Sequence, residues 1–146
     1  MSESKIKFKI VTSEKTVFED EVDQATFETT DGQITILPNH RSYITSLKSG
    51  EAMIKKKDEE VFLSISGGFI EFHDNTLIVL ADTAERAEEI DLARAEEARK
   101  RAEELKNKVI SMDEEEYAHV AAAIQKEAAR IRVAKKHYTK RGIKME

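Results

Sequence analysis

The segment Leu80-Ala81-Asp82-Thr83-Ala84-Glu85-Arg86-Ala87-Glu88-Glu89-Ile90-Asp91 divides this 146-residue chain into two parts of different character. Before it, short runs rich in Val, Ile, Thr and Phe are separated by turn-forming residues, a pattern typical of strands. After it, alanine and leucine recur every three or four residues, a pattern typical of helices. The sequence therefore predicts an α+β chain, with a β-sheet domain over 1–86 and a helical domain over 87–146.

The β-sheet part begins with charged and apolar residues in alternation from Lys5 to Ile10, which indicates a strand with one face in water. Strands that recur at a spacing of roughly 8–12 residues favour a sandwich or a barrel. Further strands are predicted over 21–29, 33–37, 51–56, 61–65, 69–72 and 76–80, with turns at 30–32, 38–40, 49–50, 57–58, 67–68 and 74–75.

The helical part has two candidate starting points, Asp82-Thr83 and Asp91, because a short polar side chain can cap the first turn of a helix. A second helix is predicted to restart at 111–114, where Ser111 and Glu114 resemble a capping box. Together the two helices form an antiparallel hairpin with a thin, alanine-rich core. The two helical stripes consist of Ala87, Asp91, Ala95, Ala98, Ala102, Leu105 and Val109, and of Tyr117, Val120, Ile124, Ala128, Ile131 and either Ala134 or Lys135.

Charge is distributed unevenly along the chain. Residues 1–86 are net −6, residues 87–117 net −5 and residues 118–146 net +6. A basic terminal segment suits a nucleic acid or an acidic protein surface. The near absence of aromatic residues among these basic ones favours the protein surface. With no cysteine, scattered histidines and no phosphate-binding loop of the Walker type, the sequence offers no catalytic or metal-binding group.

Four segments of the chain together resemble the epsilon subunit of the bacterial F-type ATP synthase. Each motif is weak alone, but all four occur in order over a strand-then-helix layout. They are Gly32-Gln33-Ile34-Thr35-Ile36-Leu37-Pro38-Asn39-His40, Ser66-Gly67-Gly68-Phe69, the junction quoted above and Ile90-Asp91-Leu92-Ala93-Arg94-Ala95. The resemblance implies an N-terminal β-sandwich of about ten strands followed by a C-terminal antiparallel two-helix hairpin.

The resemblance also implies a role, a location and partners. It implies a non-catalytic subunit of the central stalk that binds the gamma subunit and the ring of c subunits, and that couples ion flow to ATP synthesis. Such a subunit lies at the cytoplasmic face of the cell membrane and is held there through its partners, without nucleic acid. Its helices, when extended, contact the alpha and beta subunits and inhibit ATP hydrolysis. No cofactor is required, although ATP is a candidate regulatory ligand.

The same resemblance assigns candidate site residues. A nucleotide site in the folded hairpin would use Glu85, Ile90, Asp91, Arg94, Ala95, Arg101, Lys126 and Arg130. Lys126 stands where an arginine is expected and so lacks the bidentate fork that suits phosphate. Contacts to the c ring would use Asp31, Gln33, His40 and Arg41, and inhibitory contacts to the beta subunit would use Arg130, Arg132, Lys135 and Lys136.

More modest interpretations stay open beside these assignments. Asp91 and Arg94 would also serve as a helix cap with a surface ion pair, and the basic residues as a solvated helix face. At the level of function, the alternatives are a dedicated ATP-binding sensor and a β-sandwich adaptor unrelated to the synthase.

Overall fold

A computed structural model describes residues 4–108 and 113–140 of the chain. It has seven strands, a short 3-10 helix and two long helices, and none of the described helices is long and apolar enough to cross a membrane. The strands are β1 (Ile6–Val11), β2 (Thr16–Val22), β3 (Gln24–Thr29), β4 (Gly32–Ile36), β5 (Tyr43–Lys56), β6 (Glu59–His73) and β7 (Thr76–Arg86). The 3-10 helix spans Ala87–Glu89, and the long helices are α1 (Leu92–Lys108) and α2 (Glu114–Lys140).

The strands form one continuous sheet in the order β2-β1-β7-β6-β5-β3-β4, antiparallel except for the parallel pair β1 and β7. Phe8 of β1 and Phe27 of β3 have ring centroids 6.1 Å apart, although three strands separate β1 from β3 in the sheet. The sheet therefore folds over on itself into two layers, with these buried rings in the core between them. The expected sandwich is confirmed.

Within the part of the chain that the structure describes, the number of strands is seven and not ten, because three of the strands are long. β5, β6 and β7 pass through both layers, and the pairing of β5 with β6 is interrupted between Ser46 and Gly50. Counting each long strand as two segments accounts for the expected ten. The turns predicted at 49–50 and 67–68 are therefore wrong, since these residues lie inside β5 and β6. Gly67 and Gly68 have φ of +68° and +110°, which lets β6 bend without ending.

The junction also differs from the first of its two expected helix starts. Asp82 and Thr83 do not begin a helix, because β7 continues to Arg86 and pairs with β6 as far as Leu63. The buried alanines Ala81 and Ala84 belong to the sandwich core, and they fix this segment as a strand. Burial between sheet layers outweighs the local capping signal here.

Both helices begin at aspartates. Asp91 Oδ1 accepts a hydrogen bond of 3.1 Å from the backbone N–H of Arg94, and Asp113 Oδ1 accepts one of 2.8 Å from that of Glu116. Asp91 is therefore confirmed as the residue that caps α1. Ser111, the other proposed cap, lies outside the described residues, as does Val109 of the first stripe.

The two helices pack against each other as the expected hairpin, and burial along the stripes is uneven. Ala95 of α1 and Ala134 of α2 are buried, whereas Leu105 and Tyr117 are exposed. Among the described residues, the hairpin therefore buries its apolar side chains at the end that meets the sandwich, while Leu105 and Tyr117 toward the opposite end stay exposed.

Candidate functional site at the sandwich and hairpin interface

The second helix, α2, supplies the main contacts of the hairpin with the sandwich, through β5 and β6. An apolar cluster lies between them, and three of its seven buried members are alanines. Because an alanine removes little apolar area from water, this cluster contributes less than a leucine-rich core of the same residue count. Its buried members are Phe62, Ala87, Ile90, Ala95, Ile131, Val133 and Ala134, with Met53, Leu92 and Tyr138 packed against them.

Arg130 forms the most enclosed charge cluster of the interface. Its Nε and Nη2 donate to the two carboxylate oxygens of Glu85 at 2.6 and 3.1 Å, and its Nη1 donates to Glu127 at 2.7 Å. The Arg130 side chain is 17% exposed. Burial opposes its charge, but the hydrogen bonds to Glu85 and Glu127 outweigh burial and raise the pKa of Arg130 above its ordinary value. This bidentate pair joins the end of β7 to the middle of α2.

The other basic residues of the interface also face acids of the same chain. Arg132 Nη2 lies 3.7 Å from Glu28 of β3, and Lys136 forms an ion pair with Glu51 of β5. Lys135 differs, because its Nζ lies 4.0 Å from Glu96 of α1. The four residues expected to contact a beta subunit are Arg130, Arg132, Lys135 and Lys136, and here each has an acidic partner within the chain.

Of the eight residues expected at a nucleotide site, three border one cleft of about 510 Å³: Glu85, Lys126 and Arg130. Acidic side chains dominate the rest of its charged lining, with Glu14, Asp82 and Glu89 against Lys15. This lining disfavours a phosphate group unless Arg130 is released from Glu85.

The other five residues lie elsewhere on the hairpin. Ile90 and Ala95 are buried in the apolar cluster, and Asp91 caps α1. Arg94 is exposed, and Arg101 pairs with Glu97 at 3.9 Å on the outside of α1. The structure thus separates the eight residues into a cleft set, a buried pair and an exposed set on α1. Binding of a nucleotide by these eight residues together stays a prediction.

The residues expected to contact a c ring come from two turns that both touch the start of β5. Asp31 accepts a hydrogen bond of 3.4 Å from Thr45, and the ring of His40 packs edge-on against Tyr43, with centroids 6.0 Å apart. Arg41, beside it, is exposed, and its carbonyl oxygen lies 2.7 Å from His40 Nδ1. Gln33 does not join these three residues and instead borders a separate cleft, which Arg132 of α2 also lines.

Sequence reasoning missed two features of the surface. Glu28 and Glu51 contact α2 across long sequence separations, and no local pattern marks them. An exposed apolar patch consists of Ile44, Phe69, Ile78 and Leu80. The run Phe69-Ile70 and the run Ile78-Val79-Leu80 were a usable signal for this patch, because an unbroken apolar run places apolar side chains on both faces of a strand.

The class of this molecule is a β-sandwich followed by a two-helix hairpin folded back on it, and comparison with known proteins gives the family. The model of the ATP synthase delta/epsilon chain β-sandwich domain matches residues 5–87, and that of the delta/epsilon chain long α-helix domain matches residues 88–135. The chain belongs to the ATP synthase delta/epsilon chain family.

Similar proteins agree with this membership. The ATP synthase epsilon chain of Chloroflexus aggregans is 43% identical over 136 residues, which cover 93% of this chain and 96% of that protein. The epsilon chain of Geobacter sulfurreducens is 39% identical over 132 residues, covering 90% and 95%. A chain in the mitochondrial ATP synthase structure from Euglena gracilis, containing OSCP, F1 and the c-ring, has the same fold. It has a TM-score of 0.74 at 20% identity, covering 87% of this chain and 79% of that one.

Proposed function

We propose that the chain is a non-catalytic subunit of the central stalk of an F-type ATP synthase, and that it couples ion flow across the membrane to ATP synthesis. Family membership over both domains and relatives named ATP synthase epsilon chain support this role. The single observation that carries it is the group of exposed apolar side chains on the sandwich, since a contiguous exposed apolar patch marks a protein-binding face.

The patch is a compact group on three adjacent strands. Glu71 of β6 pairs with both Ile44 of β5 and Ile78 of β7, and Phe69 pairs with Leu80 one row away. Residues paired across strands point to the same face of a sheet, so the four apolar side chains form one surface around Glu71. We assign this surface to the gamma subunit.

Binding of the gamma subunit from the same cell tests this assignment. The variant Ile44→Asp should lose most of the gamma subunit retained by the parent chain in a pull-down, because it places a charge inside the apolar interface. Leu105→Asp is the matched control, since Leu105 is also more than half exposed but lies on the hairpin. Equal retention by both variants would refute the assignment of the patch.

The end of the sandwich that carries His40 and Arg41 is assigned to polar loops of the c subunits. This end is polar and exposed, as Arg41 is, and Asp31 lies beside it at the start of β5. Such contacts would hold the subunit at the cytoplasmic face of the cell membrane through its partners alone. Arg41→Glu should weaken sedimentation of the chain with membranes that carry the c ring and gamma, whereas an unchanged sedimented fraction argues against this assignment.

The hairpin is assigned an inhibitory role in ATP hydrolysis. Its basic residues Arg130, Arg132, Lys135 and Lys136 all pair with carboxylates here, so these side chains are suited to acidic segments of the alpha and beta subunits when the hairpin is extended. Deleting residues 88–146 should raise the ATPase activity of a reconstituted complex. Unchanged activity would remove the inhibitory role and leave the coupling role standing.

ATP is assigned as a regulatory ligand and not as a substrate. Arg130 and Lys126 lie together in the cleft, and Arg94 is exposed on α1. Because Glu85 already occupies the fork of Arg130, ATP must compete with it, and weak binding is expected. Calorimetry with the full chain should detect heat at millimolar ATP that Lys126→Ala, which removes a cation from the cleft, weakens. No heat from the parent chain would exclude ATP sensing.

A further inference from the structure

Glu71 lies in the middle of the apolar patch formed by Ile44, Phe69, Ile78 and Leu80. In the register of the sheet it is directly opposite Ile44 of β5 on one side and Ile78 of β7 on the other. Phe69 lies two residues earlier on β6 and therefore on the same face. Glu71 is exposed, so one carboxylate lies among four apolar side chains that are 37% to 66% exposed.

Within the described part of the chain, no basic side chain forms an ion pair with Glu71. The row of paired residues that contains Glu71 continues through Ile78 to Lys9 of β1 and Glu19 of β2. Lys9 is therefore two strands away, beyond Ile78, and directly opposite a carboxylate of its own. This order disfavours neutralisation of Glu71 by the lysine of its own row.

His73 is the nearest titratable neighbour of Glu71 along β6, two residues further on and on the same face. Its Nδ1 lies 2.9 Å from Ser42 Oγ, and its Nε2 lies 3.3 Å from Asp74 Oδ2. Both ring nitrogens are thus directed at other groups, and a protonated His73 would pair with Asp74. Among the described residues, Glu71 therefore remains an anion without a cation of its own.

We propose that Glu71 determines which partner the patch accepts, and that the partner surface facing it is apolar apart from one arginine or lysine directed at this carboxylate. The inference rests on the assignment of the patch to the gamma subunit and adds what that subunit must present. A partner that covers the patch removes Glu71 from water, and a buried carboxylate without a cation is strongly unfavourable. A partner that supplies the cation gains a charge-assisted hydrogen bond, whereas a purely apolar partner is rejected.

A second copy of this chain does not meet this requirement. Two copies related by twofold symmetry about the centre of the patch would bring Glu71 of one copy against Glu71 of the other. Because like charges that are brought together out of water repel, Glu71 opposes self-association through the patch. The occupant with the required chemistry is a different protein, with positive charge where this chain has negative charge.

Replacing Glu71 by glutamine and by leucine separates this proposal from a simpler role. If the charge served only to keep the patch soluble, Glu71→Leu would complete the apolar surface and bind gamma more tightly. If gamma supplies a cation, both variants leave that cation buried and unpaired, so both should raise the dissociation constant at least about tenfold. The measurement is a fluorescence titration of the full chain with the gamma subunit from the same cell. Glu71→Gln decides the question if Glu71→Leu aggregates.

Glu59 provides the matched control, because it is an exposed glutamate at the other end of the same strand. Glu59→Gln and Glu59→Leu should leave the dissociation constant within about twofold of the parent value. One replacement of a lysine or arginine of gamma by methionine should weaken binding to the parent chain about tenfold. The same replacement should weaken binding to Glu71→Gln less than about twofold, since the pair is then already broken.

The titration distinguishes failure of this inference from failure of the assignment of the patch. If gamma binds the parent chain but Glu71→Gln binds it equally well or more tightly, the required cation is absent and this inference is overturned alone. It is also overturned if no basic residue of gamma is coupled to Glu71. If gamma does not bind the parent chain, the assignment of the patch to gamma is wrong, and this inference is overturned with it.

Discussion

Replacing Arg130 by methionine removes the most enclosed charge cluster while keeping the aliphatic stem of the side chain. Three charge-assisted hydrogen bonds are lost, and the carboxylates of Glu85 and Glu127 remain without their cation. Breaking a fully buried pair costs about 3–5 kcal/mol. Glu127 is only 13% exposed, but Glu85 is 34% exposed and regains water, which reduces the loss. We expect Arg130→Met to lower the free energy of unfolding by about 2 kcal/mol.

Thermal unfolding followed by far-ultraviolet circular dichroism measures this loss. For a chain of this length, about 2 kcal/mol corresponds to a fall in the melting temperature of roughly 6 °C. The control is Arg101→Met, because Arg101 is 70% exposed and pairs loosely with Glu97 within α1, so it should cost less than about 0.5 kcal/mol. Equal melting temperatures for the two variants would show that the Arg130 cluster does not stabilise the fold, and the reasoning from burial would fail.

Three further predictions concern other parts of the chain. Gly68→Ala should lower the free energy of unfolding by at least about 2 kcal/mol in urea titrations, since Gly68 has positive φ and a Cβ would lie 2.0 Å from a backbone oxygen of β7; a change under about 0.5 kcal/mol would contradict this. Asp91→Ala should cost about 1 kcal/mol of stability by removing the cap on Arg94, and hydrogen exchange should be faster in the first turn of α1 but not of α2. The hydrogen bond from the side chain of Lys5, and then one from the backbone N–H of Lys57, lower the pKa of Asp23 below its ordinary value. The ionised Asp23 carboxylate therefore stabilises the fold above its ordinary pKa of about 3.9, and this stabilisation is lost as the pH falls through the lower pKa of the folded state. The free energy of unfolding of the parent chain should thus exceed that of Asp23→Asn at pH 6 but not near pH 2.

Local patterns in the sequence predicted what depends on neighbouring residues. Asp91 caps α1 because an aspartate before a helical stripe satisfies the free backbone N–H groups of the first turn, and this chemistry is readable from sequence. The same reasoning failed at Asp82 and Thr83. There, the pairing of β7 with β6 and the burial of Ala84 in the core decide the structure, and both depend on residues about 20 positions away.

The candidate site was only partly predictable for a similar reason. The basic character of α2 is visible in the sequence, but its partners are not. Glu28 and Glu51 precede Arg132 and Lys136 by about a hundred residues and by 85 residues, and no periodicity links them. Their alignment follows from the register of β5, β6 and β7, which places Glu51, Ser64 and Glu85 side by side. Strand register over such distances is a property of the assembled sheet.

The three long strands have a mechanical consequence. Because β5, β6 and β7 each pass through both layers, the layers are joined by covalent backbone as well as by packed side chains. Packed side chains alone would let one layer slide over the other under a sideways load, whereas a continuous backbone resists such sliding. A twisting force applied at the patch of Ile44 and Phe69 is carried along the same β5 and β6 strands that bear Glu51 and Ser64 beneath α2. The sandwich is therefore expected to resist shear between its two layers as one stiff body.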